Sequence, residues 1–149
     1  MKLLWHYTWD YRIGDILRSG YVDVARLGVS PNEKAIAWFS SNAIWENTVR
    51  KTRDVIGMEE MLARGIRLYR VGVLPAAAPL KWSAIRAQSG MSSKAANGLA
   101  ALAAKWGASP WEWYGSFSPV PRSEWQAVEM FGENGWGKSA NLELEQVRA

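Results

Sequence analysis

The run LLWHYTW, residues 3 to 9, sets the chain's single histidine inside a short, mainly apolar stretch that is closed by Asp10. A stretch of that length falls far short of the roughly 18 apolar residues that a membrane span needs, and residues 2 to 8 read as a buried strand. The next segment, DYRIGDILRSG, puts Ile13, Ile16 and Leu17 on one helical face, with Gly20 placed for the left-handed cap after the last turn. The chain therefore opens as strand then short helix. His6 is left with two readings, a hydrogen-bonded structural histidine or a ligand contact at the end of that first strand.

Turn chemistry at Pro31 and Asn32 precedes a second apolar stretch, Ala35 to Phe39, flanked by serines, which reads as a strand. A polar helix is expected over Trp45 to Arg53, and MEEMLARG should form another that ends at Gly65. IRLYRVGVL mixes β-branched residues with arginine before Pro75, as a strand with one exposed face would. From Lys81 to Gly107 the pattern is helical, with Ser92 or Ser93 as a cap and Gly107 as a stop. Pro110 suits a first helical turn, Tyr114 to Val120 looks extended, Trp125 to Phe131 is a further strand, and Asn134-Gly135 is a hairpin turn. Strands at both ends with helices gathered between them favour an α+β class over a doubly wound α/β fold.

The 149 residues suit one domain, expected over 1–137, with a polar tail over 138–149 that is free to fray. Apolar residues at 48% and charged residues at 21% fit a globular chain. No cysteine is present, which removes disulfides and thiolate chemistry, and one histidine cannot build a multi-imidazole zinc site, so no metal is expected. The N-terminus lacks the apolar length of a signal peptide, so no membrane partner and a cytoplasmic location are expected. A net charge of +4 is too small to define a basic patch, and VRKTR at 49 to 53 is the one short basic run, read more simply as a solvated helix face. The ten tryptophans must divide between core anchors and groove lining, a division that composition cannot make.

No phosphate loop, nucleophile elbow or dinucleotide fingerprint is present. What remains are polar residues at the expected strand ends: His6, Tyr7 and Thr8; the run WFSS at 38 to 41; and SEWQAVE at 123 to 129. A histidine can bond a sugar hydroxyl, an aromatic face can stack a planar ring, and a carboxylate can stabilise a cationic transition state. Together those jobs suit cleavage at an anomeric carbon through an oxocarbenium-like state.

LLWHYTWDYRIGDILRSGYV resembles the opening of ADP-ribosyltransferase-like folds, including the DNA-targeting DarT toxins and RNA 2′-phosphotransferases. HYT, AxWFS and a late WxAVE are also similar to segments shared by a group of small bacterial proteins. The resemblance touches three short segments, fewer than one third of the residues. It implies a split β-sheet with helices between the strands, and an NAD-consuming ADP-ribosyltransferase or NAD glycohydrolase that cuts the nicotinamide glycosidic bond. Carried onto this chain, it implies NAD as substrate, with His6 on the ribose and Tyr7 and Thr8 beside it. Trp38, Phe39, Ser40 and Ser41 would form the nicotinamide side, and a late glutamate, Glu124 or Glu129, would be catalytic. It also implies a macromolecular acceptor, protein or nucleic acid, and a toxin or phage or defence setting. No tyrosine stands on the second element where one branch of the family places its stacking ring.

Two carboxylates five residues apart should face opposite sides of a regular strand, so Glu124 and Glu129 cannot both serve one pocket without a bulge. Glu124 has a plain alternative as a strand-end charge beside Arg122, and Glu129 as a buried carboxylate paired with Arg67 or Arg70. For AWFSS the alternative is a core strand with a serine cap. The rival function, from another class, is a non-catalytic phage or defence-associated protein that holds a protein or nucleic acid on a tryptophan-rich surface.

Overall fold

The computed structural model describes residues 2–51 and 55–138. The expected tail, apart from Lys138, lies outside the described residues, as does the end of the VRKTR run. Strand β1 runs over Leu4–Trp9 and is followed by helix α1, Arg12–Ser19, whose Ile13 and Leu17 are buried. Gly20 ends that helix at φ 77°, with its N–H on the Ile16 carbonyl. A glycine adopts that left-handed conformation without the Cβ clash that any other residue meets.

The remaining strands are β2 Tyr21–Val22, β3 Ala37–Ser40, β4 Leu68–Val73, β5 Leu80–Lys81, β6 Trp113–Ser116, β7 Val120–Pro121, β8 Trp125–Gly132 and β9 Gly135–Lys138. The other helices are α2 Met58–Ala63, α3 Trp82–Gln88 and α4 Ser93–Lys105. Ser92 caps α4, its hydroxyl accepting from the Ala95 N–H at 3.0 Å. Seven strands form one antiparallel sheet in the order β5-β6-β3-β1-β4-β8-β9, and β2 pairs with β7 apart from it. The fold is thus mixed α+β, though β4 sits in the middle of the chain and the strands are not confined to its ends.

Side-chain alternation on β1 divides the core. Leu4 joins Ile13, Leu17, Phe39, Val71 and Val73 on the α1 side, while Trp5, Tyr7 and Trp9 join Trp45, Ile56, Met61 and Leu68 on the other. A third cluster, built on Ile36, Trp82, Ile85 and Trp113, fastens α3 and α4 to the β6 end of the sheet. Each fully buried large aliphatic side chain contributes roughly 1.5–3 kcal/mol, so α1 is held mainly by its two buried residues.

Gly72 faces Trp5 across the β1–β4 ladder, and a Cβ built there would lie 2.6 Å from Trp5 Cζ3. The missing side chain is what lets the indole lie flat over β4. Gly72→Ala should therefore cost about 1–3 kcal/mol by overpacking, read as a lower urea midpoint with an unchanged slope.

The expected polar helix over Trp45–Arg53 is absent; among the described residues that segment is turns and irregular chain. Side chains there occupy the amides that a helix would use. Asn42 Oδ1 accepts from the N–H groups of Ile44 at 2.9 Å and Trp45 at 3.4 Å, and Glu46 Oε2 accepts from the Thr48 N–H at 3.2 Å. The extended stretch expected over Tyr114 to Val120 divides into β6 and β7.

Candidate functional site

Strands β1 and β3 share one register pair, Trp5 with Ser40, whereas β1 and β4 are paired along all six positions of β1. Beyond Trp5 the sheet forks, and the His6 ring spans the gap: its Nδ1 lies 2.8 Å from the Trp38 carbonyl oxygen. A carbonyl only accepts, so Nδ1 carries the proton and Nε2 is left as an acceptor. Among the described residues Nε2 has no partner. The Phe39 ring meets the imidazole edge-on at 5.7 Å between centroids.

A cleft of about 260 Å³ opens at this fork. Its walls include Trp5, His6, Tyr7, Trp38, Phe39 and Ser40 from the two strands, Trp106 beyond the end of α4, and Trp113 from β6. The lining carboxylate is Glu46, on the turn after β3 and only 5% exposed. Ser40 Oγ donates to its Oε1 at 3.0 Å, and the Thr48 hydroxyl donates to its Oε2 at 2.5 Å. Those bonds give both oxygens of the buried side chain a hydrogen-bond partner. Trp113 carries a buried Nε1–H with no hydrogen-bond partner among the described residues.

Burial lowers the pKa of His6, opposed by the bond to Trp38 and aided by the positive charge of Arg12. The imidazole is therefore neutral near pH 7, an acceptor and not a cation. Below its ordinary value of about 6.5 the unfolded chain takes up a proton that the folded chain refuses, so this contribution to stability is complete above 6.5 and is lost as pH falls. Denaturant unfolding between about pH 7 and 5.5 should show that decline, and His6→Asn, whose amide can still donate to Trp38, should flatten it. Tyr7 is pushed up to about 12, chiefly by burial, so its phenol keeps the proton that it donates to the Asn42 carbonyl at 2.5 Å.

Of the residues singled out in the sequence, the cleft brings together His6, Tyr7, Trp38, Phe39 and Ser40. Thr8 and Ser41 are not among its walls: Thr8 is buried in β1 with its hydroxyl unpartnered among the described residues, and Ser41 donates its N–H to the Glu112 carbonyl. Glu124 lies in the 3-10 turn Arg122–Glu124 just before β8, and Glu129 lies on β8. Neither borders the cleft. Glu129 pairs with Arg70 at 2.6 Å, while Arg67 goes to Asp10. Sequence reasoning missed Glu46 because it was assigned to a helix. The signal that could have found it is the close run of Ser40, Asn42, Glu46 and Thr48 after a strand, polar groups that can bond one another only if the chain turns back on itself.

The basic run reaches the cleft edge, where Val49 is a wall residue and the Arg50 guanidinium stacks on Trp106 at 4.3 Å. Among the described residues no group of three or more histidine, aspartate or glutamate side chains is placed to hold a metal, and no helix is long and apolar enough to cross a membrane. The chain matches no family model, no curated protein and no solved structure in comparisons with each.

Proposed function

We propose that the cleft takes the nicotinamide-ribose end of NAD and that the chain cleaves the bond between nicotinamide and ribose, as an ADP-ribosyltransferase or NAD glycohydrolase. The observation that carries this reading is the meeting of a buried carboxylate, Glu46, with a neutral acceptor imidazole, His6, in one aromatic cleft. The fork between β1 and β3 also suits the split sheet of ADP-ribosyltransferase-like folds.

Indole faces attract a pyridinium ring through their quadrupole, and a carboxylate nearby strengthens binding of a cationic ligand. A ribose hydroxyl can donate to His6 Nε2. As the C1′–N1 bond breaks, nicotinamide leaves with the electron pair as a neutral molecule and positive charge moves to the ribose. Glu46, itself buried at the cleft wall, stabilises that charge. Water or a macromolecular acceptor then adds to C1′ and releases its proton to solvent. In this reading Glu46 takes the role that the resemblance gave to Glu124 or Glu129.

The test is calorimetric titration with NAD, followed by mass spectrometry for free nicotinamide. Binding with release supports the reading, and no heat or thermal stabilisation at millimolar NAD overturns it. A second reading, binding without cleavage, is favoured by the two hydroxyls that already occupy the oxygens of Glu46; binding without release would select it. His6→Asn, which removes the Nε2 acceptor and the ring edge against Phe39 but can keep the donation to Trp38, should weaken NAD binding about tenfold at pH 8.

A further inference from the structure

Arg70 is a buried cation that no part of the proposed chemistry uses. Its guanidinium lies 3.6 Å from the centre of the Trp5 ring and 4.6 Å from that of Trp136, between two indoles. Nε and Nη2 both reach Oε1 of Glu129, at 2.7 and 2.6 Å. The remaining nitrogen, Nη1, donates to the carbonyl of Ala43 at 2.6 Å and to the Tyr7 hydroxyl at 3.4 Å. Ala43 belongs to the turn that carries Glu46.

The same turn is held at the two neighbouring carbonyls. Tyr7 donates to Asn42 at 2.5 Å, and Trp136 Nε1 donates to Ile44 at 2.8 Å. Three successive carbonyls are thus bound by side chains from β1, β4 and β9, while Trp45 stacks parallel to Trp136, with an interplanar angle of 3°. Arg70 touches the contributions of the other two strands and the turn: it bonds Tyr7, stacks on Trp136 and reaches Ala43 itself. A guanidinium suits this place because it offers flat faces to two rings and in-plane donors to two acceptors at once, which an ammonium cannot.

We propose that Arg70, oriented by Glu129, is a positioning residue that fixes the 42–46 turn and thereby the Glu46 carboxylate in the cleft. The proposal rests on the reading of the cleft given above for its catalytic consequence, though not for the clamp itself. Glu129 then acts on Glu46 through two contacts: it holds Arg70, Arg70 holds the turn, and the turn presents Glu46.

Glu129→Gln keeps the shape of the side chain and removes the charge that aligns Arg70. Amide hydrogen exchange at Ile44, Trp45 and Thr48, whose N–H groups bond within the turn, should quicken about tenfold, while amides of the β3–β6 ladder stay within about twofold of the wild type. Nicotinamide release should fall in kcat by up to about 100-fold with KM changed less than about threefold, because a carboxylate displaced by an ångström still leaves the aromatic walls intact. Equal quickening in the turn and in the β3–β6 ladder would mean that the pair supports global stability alone, and unchanged turn amides would mean that it does not hold the turn; either result overturns the proposal. If Glu129→Gln does not fold, Glu129→Asp, which draws the charge back by one methylene, is read by the same exchange pattern. A wild-type protein that releases no nicotinamide removes the catalytic reading, and the exchange pattern still decides whether the clamp exists.

Discussion

Glu46→Gln should lower nicotinamide release by about 10²–10³-fold, the range seen when one group that stabilises transition-state charge is removed. Glutamine has nearly the same shape, and its carbonyl oxygen can still accept from Ser40 or Thr48, so the turn should keep its place. Charge is what changes. In the bound state the positive charge lies on the pyridinium; at the transition state it has moved to the ribose, and only the interaction that strengthens during this movement raises the rate. The loss should therefore appear mainly in kcat, measured by single-turnover release, with a smaller loss in NAD affinity by calorimetry. Glu124→Gln, at a site outside the cleft, should leave both within about twofold of the wild type. Unchanged release in Glu46→Gln would leave the cleavage mechanism without its central group.

Trp45→Ala should destabilise the fold by about 3–5 kcal/mol, a large fraction of the roughly 5–15 kcal/mol that holds a domain together. Trp45 is 3% exposed and packs against Tyr7 at 4.9 Å and Trp136 at 6.3 Å between ring centroids, so its removal opens a cavity bounded by rigid rings that cannot collapse into it. Urea unfolding followed by circular dichroism measures the loss. At the same time the turn loses its anchor beside Glu46, so any folded fraction should release nicotinamide more slowly per folded molecule. A loss below about 1 kcal/mol would mean that the three side-chain bonds to the Asn42, Ala43 and Ile44 carbonyls hold the turn without the indole.

Much of the element order was legible along the chain because it is written in local chemistry. Gly20 and Gly65 both sit at positive φ just after short helices, Ser92 caps α4, and Gly135 sits at positive φ in the hairpin between β8 and β9. Each of these follows from the conformations that one or two residues prefer. The helix expected over 45–53 is absent from the described residues for the opposite reason: the Trp45 and Thr48 amides go to the side chains of Asn42 and Glu46, and the Trp45 ring to Tyr7 and Trp136, partners that helical periodicity does not consider. Glu129 shows the same limit. Its sequence context left a salt bridge with Arg67 or Arg70 and a place in a pocket equally open, and only the β4–β8 register, with Arg70 opposite Glu129, decides between them.

The sequence by itself determined that a strand holding the only histidine leads into an amphipathic helix and that the class is α+β. These follow from hydrophobic period and cap residues, which act over a few residues. Tertiary structure alone decided that the sheet forks between β1 and β3, that Glu46 supplies the carboxylate of the cleft, and that Glu129 turns to Arg70 instead. Those outcomes depend on strand register and on contacts between residues as far apart as Arg70 and Glu129 or Ile44 and Trp136, and such contacts exist only after the core has fixed which faces meet.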